Sequence, residues 1–579
     1  MMALEQLIEL MQRCHAIQDE SYCPEDYDLF QSAGTTCIQQ GEWAQLLSMI
    51  ADEENKNIVR CMGWNLLAPL VQVLQKKEDK NLSQCFAILT HLLEICHPKE
   101  LLVGLLEQVE EAHTDAIADT VLLLLQPLKT VLLKLGEKKA SSVGMTLSAL
   151  LNQVSRLPVP CGREQELVDA HGVCRCCSGL LTFLQPFVEE AAKNNVANAC
   201  IEELRAEILK FCMKSLRQPL LDVQLASPDT LDNSPLREFA LEVVAILSHI
   251  GESFTDLLSH NLLKKRGVSD FLEEEVRFPK DSLASLAYLL FVQHMAFENV
   301  PAVLSPIFLL QCNMEHVQLL LSRTEETHLQ KGLDLYEKSL ERVEDGSLPV
   351  DLLELNTFFS VPQNLVKVMT MCPFQHLRTK GFQVFQMSIN RFCTEAKYKF
   401  FICMLKTSHH SGVEGVIIKN IKNQIHFSSK TGDENEWFQG KQFLSLLRLV
   451  LCLPQGPETD LLQYLDRIME TLNLVRYLLI RDKDRENGMW TEISEIKEKF
   501  IMPLRVGLNM SKAHYEVELN NFKENKETTV TVSNKKLQDV TTEVTQVEVF
   551  HAALTMFDMM ESVLVRIEEL IEAKAKPLT

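Results

Sequence analysis

The amino-acid sequence predicts an all-α protein, an elongated HEAT-like or armadillo-like array of helical repeats with irregular spacing. Apolar residues recur at three- and four-residue intervals in almost every segment, which is the period of an amphipathic helix. Alternating strand patterns are nearly absent, and glycine (21) and proline (20) are sparse among the 579 residues. Because many such helices in one long chain pack most economically as stacked pairs, we expect a helical repeat array.

The N-terminal half predicts a series of helices, some of them interrupted by proline. Residues 1–20 favour an amphipathic helix over a secretory leader, because Glu5 and Glu9 fall within the apolar pattern. A glutamine-proline element recurs inside apolar segments, at Pro127, Pro186 and Pro219. An interior proline removes one backbone donor, so a kinked helix is expected at each site. No fixed period links these sites, which indicates irregular repeats.

Residues 282–314 contain a single charged residue, Glu298, and raise the question of a membrane span. Pro301, Pro306 and several amide side chains interrupt the segment, so no apolar run reaches the roughly 20 residues needed to cross a bilayer. The pattern predicts two buried helices broken near Pro301, and no membrane insertion.

The chain is expected to comprise an N-terminal helical repeat region, 1–360, and a C-terminal HEAT-like region, 361–579. Residues 523–546 are rich in Thr, Lys and Glu and predict a flexible loop, despite the strand-like TTVTV at 528–532. The last segment predicts a helix with one apolar stripe. That stripe comprises Phe550, Leu554, Phe557, Met560, Leu564, Ile567 and Ile571.

Composition restricts the partners and the compartment. A formal net charge of −22 disfavours nucleic-acid binding, since affinity for DNA and RNA comes mostly from neutralising phosphates. Seventeen cysteines without framework spacing fit a reducing environment, so the expected localisation is the cytoplasm.

One cysteine cluster has the spacing of a zinc knuckle. Cys174 and Cys177 form a C-x-x-C pair, but no second pair occurs elsewhere, and a closed zinc site needs four ligands. An improvised site with His171 and Cys161 is the alternative. We expect buried thiols at the start of a helix instead, because free cysteine packs as a small hydrophobe. No metal or cofactor is expected.

Catalytic motifs are missing from the sequence, so no enzymatic activity is expected. The segment RDKDRENGMWTEI resembles a calcium loop but has Gly488 one position late and Ile493 where a bidentate Glu is required. We interpret it as a plain loop between helices.

The C-terminal third combines aromatic residues with cations, the side chains that dominate protein interfaces. Each aromatic residue alone is equally consistent with a core position, and the tryptophans could anchor the first turn of a helix. Clustering favours partner binding. The predicted partner-binding residues are Lys419, Lys422, Trp437, Arg476, Tyr477, Arg481, Trp490, Lys512, His514 and Tyr515.

Several segments give the chain a resemblance to the glomulin family over essentially its full length. They include MGWNLLAPLV (62–71), HPKELLVGLLE (97–107), VPQNLVKVMTMCP (361–373) and VGLNMSKAHYEVEL (506–519). The resemblance implies a cytoplasmic, HEAT-like protein without enzymatic activity. It implies that the C-terminal region binds the RING domain of the RING-box subunit in cullin-RING ubiquitin ligases and blocks the ubiquitin-conjugating enzyme. Links to vascular development, to immunophilins and to a receptor tyrosine kinase are also implied.

Two functions of different class therefore remain open. The first is an inhibitor that masks a ubiquitin ligase. The second is a HEAT-like adaptor that joins signalling proteins or immunophilins without inhibiting either of them.

Overall fold

The computed structural model describes residues 2–15, 22–76, 82–193, 198–225, 234–263, 278–296, 304–431, 437–481, 489–529 and 537–575. Contacts divide the chain into two compact units, Met1–Arg342 (unit 1) and Val343–Thr579 (unit 2). This division lies upstream of the predicted boundary at 360/361, which would cut through the helix Asn356–Met371.

In its described residues, unit 1 consists of helices, with 3-10 turns between some of them. They are α1 (Met2–His15), α2 (Pro24–Gln40), α3 (Trp43–Ile50), α4 (Lys56–Met62), α5 (Leu67–Lys76), α6 (Leu82–Ile95), α7 (Pro98–Glu110), α8 (Ile117–Lys134), α9 (Ala140–Val154), α10 (Arg163–Val168), α11 (Val173–Ala192), α12 (Ala199–Arg217), α13 (Pro235–His249), α14 (Phe254–Leu263), α15 (Lys280–Phe291), α16 (Pro306–Leu321) and α17 (Glu326–Glu341).

Unit 2 continues in the same manner after a 3-10 helix, Val350–Glu354. Its helices are α18 (Asn356–Met371), α19 (Gln375–Arg391), α20 (Thr394–Thr407), α21 (Ser411–Thr431), α22 (Gly440–Val450), α23 (Leu465–Arg481), α24 (Ile493–Ile496), α25 (Met502–Thr529) and α26 (Leu537–Ala575). A π-helical turn, Lys497–Ile501, connects α24 to α25.

The predicted fold class, an all-α array of irregular helical repeats, is confirmed. Many helices pack against a sequence neighbour and also against a helix further along the chain, as α8 does against α7, α9 and α11. In such a helix, neighbours from two positions in the sequence cover the buried face. The extended pairing among the described residues is a single parallel bridge between Leu348 and Phe392.

The proline sites differ from one another. Pro127 and Pro186 lie inside α8 and α11, as predicted. Pro219 does not: α12 ends at Arg217, and the Gln218–Pro219 peptide bond is cis. A helix usually ends before the residue that precedes a proline, because the proline ring crowds the α conformation there.

The apolar stretch at 282–314 forms two helices, α15 and α16, on either side of the predicted break. Elsewhere in the described residues, the segment Thr114–Lys134 is long and apolar enough to cross a membrane, judged by length and composition alone. Half of its most apolar window is buried inside the protein, and its Val121, Leu124 and Leu128 are fully covered. A core helix has this pattern of burial.

The described parts of the predicted loop at 523–546 are helical, so the prediction is wrong for them. Residues 523–529 continue α25 and residues 537–546 begin α26, while 530–536 lie outside the described residues. Thr and Val disfavour helix only weakly, and tertiary context routinely overrides such a preference. In the sequence, Val540, Val544 and Val547 follow the spacing of a helical stripe, which is the signal that composition concealed.

Candidate functional site

All ten predicted partner-binding residues belong to unit 2. Lys419 and Lys422 lie on α21, and Arg476, Tyr477 and Arg481 lie on α23. Lys512, His514 and Tyr515 lie on α25. Trp437 and Trp490 lie just before α22 and α24, respectively.

Helices α21 and α23 run parallel and in close contact. Near their starts, a Cβ placed on Gly415 would lie 3.1 Å from the carbonyl oxygen of Asp466, so only glycine allows this approach without a shift. Further along both helices, His426 Nδ1 lies 3.0 Å from the Tyr477 hydroxyl. The two helices pair with the same offset in sequence at both places. Solvent-facing residues of one helix therefore lie beside those of the other.

This helix pair presents cations and large apolar side chains to solvent. Lys419 and Phe427 are exposed on α21 at the spacing of one helical face, and Phe427 is 62% exposed. Arg476, Ile480 and Arg481 are exposed on α23, with Ile480 at 49%. We call these five residues the α21/α23 face.

Two polar pairs join the helices beneath the α21/α23 face. Lys422 Nζ lies 4.0 Å from the Glu470 carboxylate, with both side chains mostly covered. The second pair is the contact between His426 and Tyr477. Lys422 and Tyr477, both predicted to bind a partner, thus make contacts within the chain and hold α21 and α23 together beneath the face.

Lys512 and Tyr515 hold the last two helices together. The Lys512 ammonium pairs with Asp558 at 2.5 Å and with Glu561, both on α26, and its side chain is only 18% exposed. Desolvation acts to lower the pKa of Lys512, but the hydrogen bonds and charges of the two carboxylates together outweigh it and raise that pKa. The Tyr515 ring packs edge-on against Phe557, with centroids 5.5 Å apart. His514, next to Tyr515, is exposed.

The two tryptophans are half-buried at the starts of short helices. The Trp437 ring lies 5.3 Å from that of Tyr398, whose hydroxyl donates a hydrogen bond to the Gln442 carbonyl oxygen at 3.0 Å. Phe438 is fully buried beside them. Trp437 therefore anchors the first turn of α22, which is the alternative that the sequence left open. Trp490 lies in the 3-10 turn Met489–Thr491 before α24.

The sequence prediction missed an exposed apolar stripe on α25. Met502, Val506, Met510 and Val517 are 63%, 47%, 54% and 55% exposed, and we call them the α25 stripe. The same helix buries Leu504 and Leu508 on another side. A helix with one buried face needs only one apolar stripe, and α25 has two. The four-residue spacing of Met502, Val506 and Met510 is the sequence signal that could have revealed the exposed stripe.

The cysteine cluster lies in unit 1 and is buried at the start of α11, as predicted. Burial, followed by the nearby Asp169 carboxylate, raises the pKa of the Cys174 thiol to about 12. Burial also raises the pKa of Cys176 to about 12 and that of Cys177 well above its usual value. Thiols with such pKa values are protonated at neutral pH and are therefore poor nucleophiles.

Within the described ranges, no group of three or more His, Cys, Asp or Glu side chains is arranged to hold a metal ion. The calcium-like loop lies largely outside those ranges, at residues 482–488. What the described part of unit 2 offers is a set of surfaces with exposed cations and apolar side chains, suited to contact with another protein.

Comparison with known proteins places the chain in a family. A profile described as "Uncharacterised protein family, YAP/Alf4/glomulin" matches residues 2–546. Glomulin of Homo sapiens is 48% identical over 586 residues, covering 99% of this chain and 98% of the relative. Glomulin of Mus musculus is 47% identical over 591 residues, covering 99% and 98%.

A solved structure described as "Circular tandem repeat protein with novel repeat topology and enhanced subunit contact surfaces" also matches, at 11% identity over 99% of this chain and 98% of that one. Its TM-score of 0.15 is too low to carry an argument. The assignment rests on the full-length relatives and the family profile: the chain belongs to the glomulin family.

Proposed function

We propose that this chain is a non-enzymatic regulator that binds the RING domain of the RING-box subunit of cullin-RING ubiquitin ligases in the cytoplasm. It occupies the surface on which the RING recruits the ubiquitin-conjugating enzyme, and it thereby inhibits ubiquitin transfer. The observation that supports this most strongly is similarity to glomulins over 99% of the chain.

The surfaces of unit 2 support a binding role. The α21/α23 face combines Lys419, Arg476 and Arg481 with Phe427 and Ile480, although the chain as a whole carries a net charge of −22. Exposed apolar side chains flanked by arginine have the composition of an interface core and its rim. The α25 stripe adds two methionines, a residue type enriched at interfaces.

The proposed mechanism is steric. A protein that covers the docking surface for the conjugating enzyme needs neither a catalytic group nor a change in the fold of the ligase. Inhibition should therefore fall as the concentration of conjugating enzyme rises, because the two proteins compete for one surface.

The test measures ubiquitin transfer by a purified cullin-RING ligase with increasing amounts of the full chain. The wild-type chain should lower the rate, and the double reversal Lys419→Glu/Arg476→Glu should raise the concentration needed for half-maximal inhibition roughly tenfold or more. A matched control, Arg60→Glu/Lys99→Glu, makes the same change in net charge at exposed positions of unit 1.

The control variant should inhibit like the wild type. If the protein binds the ligase at saturating concentration but the rate of ubiquitin transfer does not change, the adaptor function replaces the proposal. In that function the chain joins signalling proteins, immunophilins or a receptor tyrosine kinase without inhibition. Loss of binding by both double variants would mean that only net charge matters and that the α21/α23 face is not the site.

A further inference from the structure

A separate groove opens in unit 2 between the 3-10 helix Val350–Glu354, helix α18 and helix α20. It encloses a cavity of about 290 Å³. Binding sites for drug-sized molecules usually span about 300 to 1,000 Å³, so this cavity lies at the lower limit of that range. It has room for one or two side chains of a binding partner. None of its lining residues belongs to the α21/α23 face or to the α25 stripe.

The floor of the groove is apolar. Phe358, Phe400 and Met404 line it and are 2%, 5% and 5% exposed, and the buried Pro362 completes it. At its edge, the Phe359 ring is 42% exposed. Phe359 is therefore positioned to close over an apolar side chain that enters the groove, and such an insertion would cover a large ring that now faces water.

The rim of the groove is acidic. Asp351, Glu354 and Lys399 line it and are exposed, and Lys399 Nζ lies 2.9 Å from the carboxylate of the half-buried Glu395. Lys399 is the single cation in this group, which leaves an excess of carboxylates. The hydrogen bond from Lys399 to Glu395, together with the charges of Glu354 and Asp351, raises the pKa of Lys399. The rim therefore attracts positive charge.

We propose that this groove, which we call the acidic-rimmed groove, binds a short segment of a partner protein that inserts one large apolar side chain and places Lys or Arg beside it. The apolar side chain fills the cavity over Phe358 and Met404. The neighbouring cation meets Asp351 and Glu354, and this pairing fixes the orientation of the segment.

Charge distinguishes this occupant from the others. A second copy of the chain carries the same net charge of −22 and would be repelled by an acidic rim. A phosphate-bearing ligand would meet the carboxylates of Asp351 and Glu354 without a matching set of cations. A segment with an apolar side chain next to Lys or Arg matches both the apolar floor and the acidic rim.

The inference goes beyond the proposed function, because it concerns a second partner on different elements of unit 2. A chain with both surfaces would hold the partner of the acidic-rimmed groove and the RING-box subunit independently. Failure of one proposal would leave the other standing.

The test is selection of short random peptides displayed on phage against the immobilised full chain. Enriched peptides should share a large apolar residue next to Lys or Arg. Synthetic copies should bind the variants Phe359→Asp and Glu354→Lys roughly tenfold or more weakly than the wild type. Phe382→Asp and Glu516→Lys are the matched controls, since Phe382 is 45% exposed on α19 and Glu516 is exposed on α25, both outside the groove.

The control variants should bind the peptides like the wild type, and all four variants should keep the inhibition of ubiquitin transfer. No enrichment, enrichment of acidic peptides, or peptides that bind the two groove variants as tightly as the wild type would overturn the proposal. Because Glu354→Lys changes an exposed side chain only, it remains informative if Phe359→Asp alters folding.

Discussion

The guanidinium of Arg467 donates a hydrogen bond to the carboxylate of Glu414 across 2.8 Å, and both side chains are buried, at 10% and 3% exposure. The pair joins α23 to α21 near the start of both helices, before the two polar pairs beneath the α21/α23 face. A second nitrogen of Arg467 donates to the carbonyl oxygen of Leu449 at 3.2 Å, near the end of α22. One arginine thereby fixes three helices of unit 2.

We expect Glu414→Ala to lower the free energy of unfolding by about 3 to 5 kcal/mol, because it leaves the buried Arg467 charge without its partner. Chemical denaturation followed by circular dichroism measures the change. The double variant Glu414→Leu/Arg467→Met should recover most of the loss, since apolar side chains of similar volume often replace a buried ion pair at little cost. A single variant as stable as the wild type would show that Arg467 reaches water.

The buried stripe of α26 was predictable from local sequence. Phe557, Met560, Leu564, Ile567 and Ile571 of the predicted final stripe are all buried, because a period of 3.6 residues is visible within one segment. Phe550 and Leu554, at the start of that stripe, are only half-buried.

The engagement of Lys512 and Tyr515 was not predictable in the same way. Their partners, Asp558, Glu561 and Phe557, lie more than forty residues away, and the position of α26 on α25 selects them. Single-sequence patterns carry no information on such pairings. The same limit explains why a pattern of aromatic residues near cations predicted an interface at positions where the side chains instead join helices, as do those of Lys422, Tyr477, Lys512 and Tyr515.

The buried thiols of α11 should resist alkylation. Cys23, Cys161 and Cys452 are exposed, whereas Cys174 and Cys177 are buried and have raised pKa values. Since the thiolate is the reactive form, iodoacetamide should modify the exposed group first and the α11 thiols only when the chain unfolds.

Mass spectrometry of the native chain after timed labelling measures these rates. A metal chelator should leave the order unchanged. Labelling of Cys174 as rapid as that of Cys452, or labelling that accelerates when a chelator is added, would contradict the assignment of these thiols to the core.

His316 should make unit 1 sensitive to acid. It is buried in α16 at 3% exposure, and burial lowers its pKa from 6.5 to about 4. As the pH falls through 6.5, the unfolded chain takes up a proton at this position and the native chain does not. The contribution of His316 to stability is therefore lost between pH 6.5 and about 4, at up to about 1.4 kcal/mol per pH unit.

The variant His316→Gln should reduce this part of the acid dependence, and His551→Gln, at an exposed position of α26, should leave it as in the wild type. Denaturant unfolding at several pH values across the window compares the slopes. Equal slopes for wild type and His316→Gln would indicate that the imidazole is protonated in the native chain.

Arg476 and Lys512 should differ in how they affect partner binding, although both were predicted as interface cations. Arg476 is exposed on α23, so Arg476→Glu should change the stability of the chain by no more than about 0.5 kcal/mol while weakening the RING-box complex.

Lys512 pairs with Asp558 and Glu561, so Lys512→Met should lower the free energy of unfolding by about 1 kcal/mol through looser attachment of α26. Arg505→Met, which removes ion pairs to Glu561 and Glu568 on the same helix, is the matched control for this indirect effect. Chemical denaturation and titration with the RING-box protein together separate the two roles. If Lys512→Met weakens binding far more than Arg505→Met at equal loss of stability, Lys512 contacts the partner directly. If Arg476→Glu binds the RING-box protein like the wild type, the α21/α23 face is not the surface of the proposed complex.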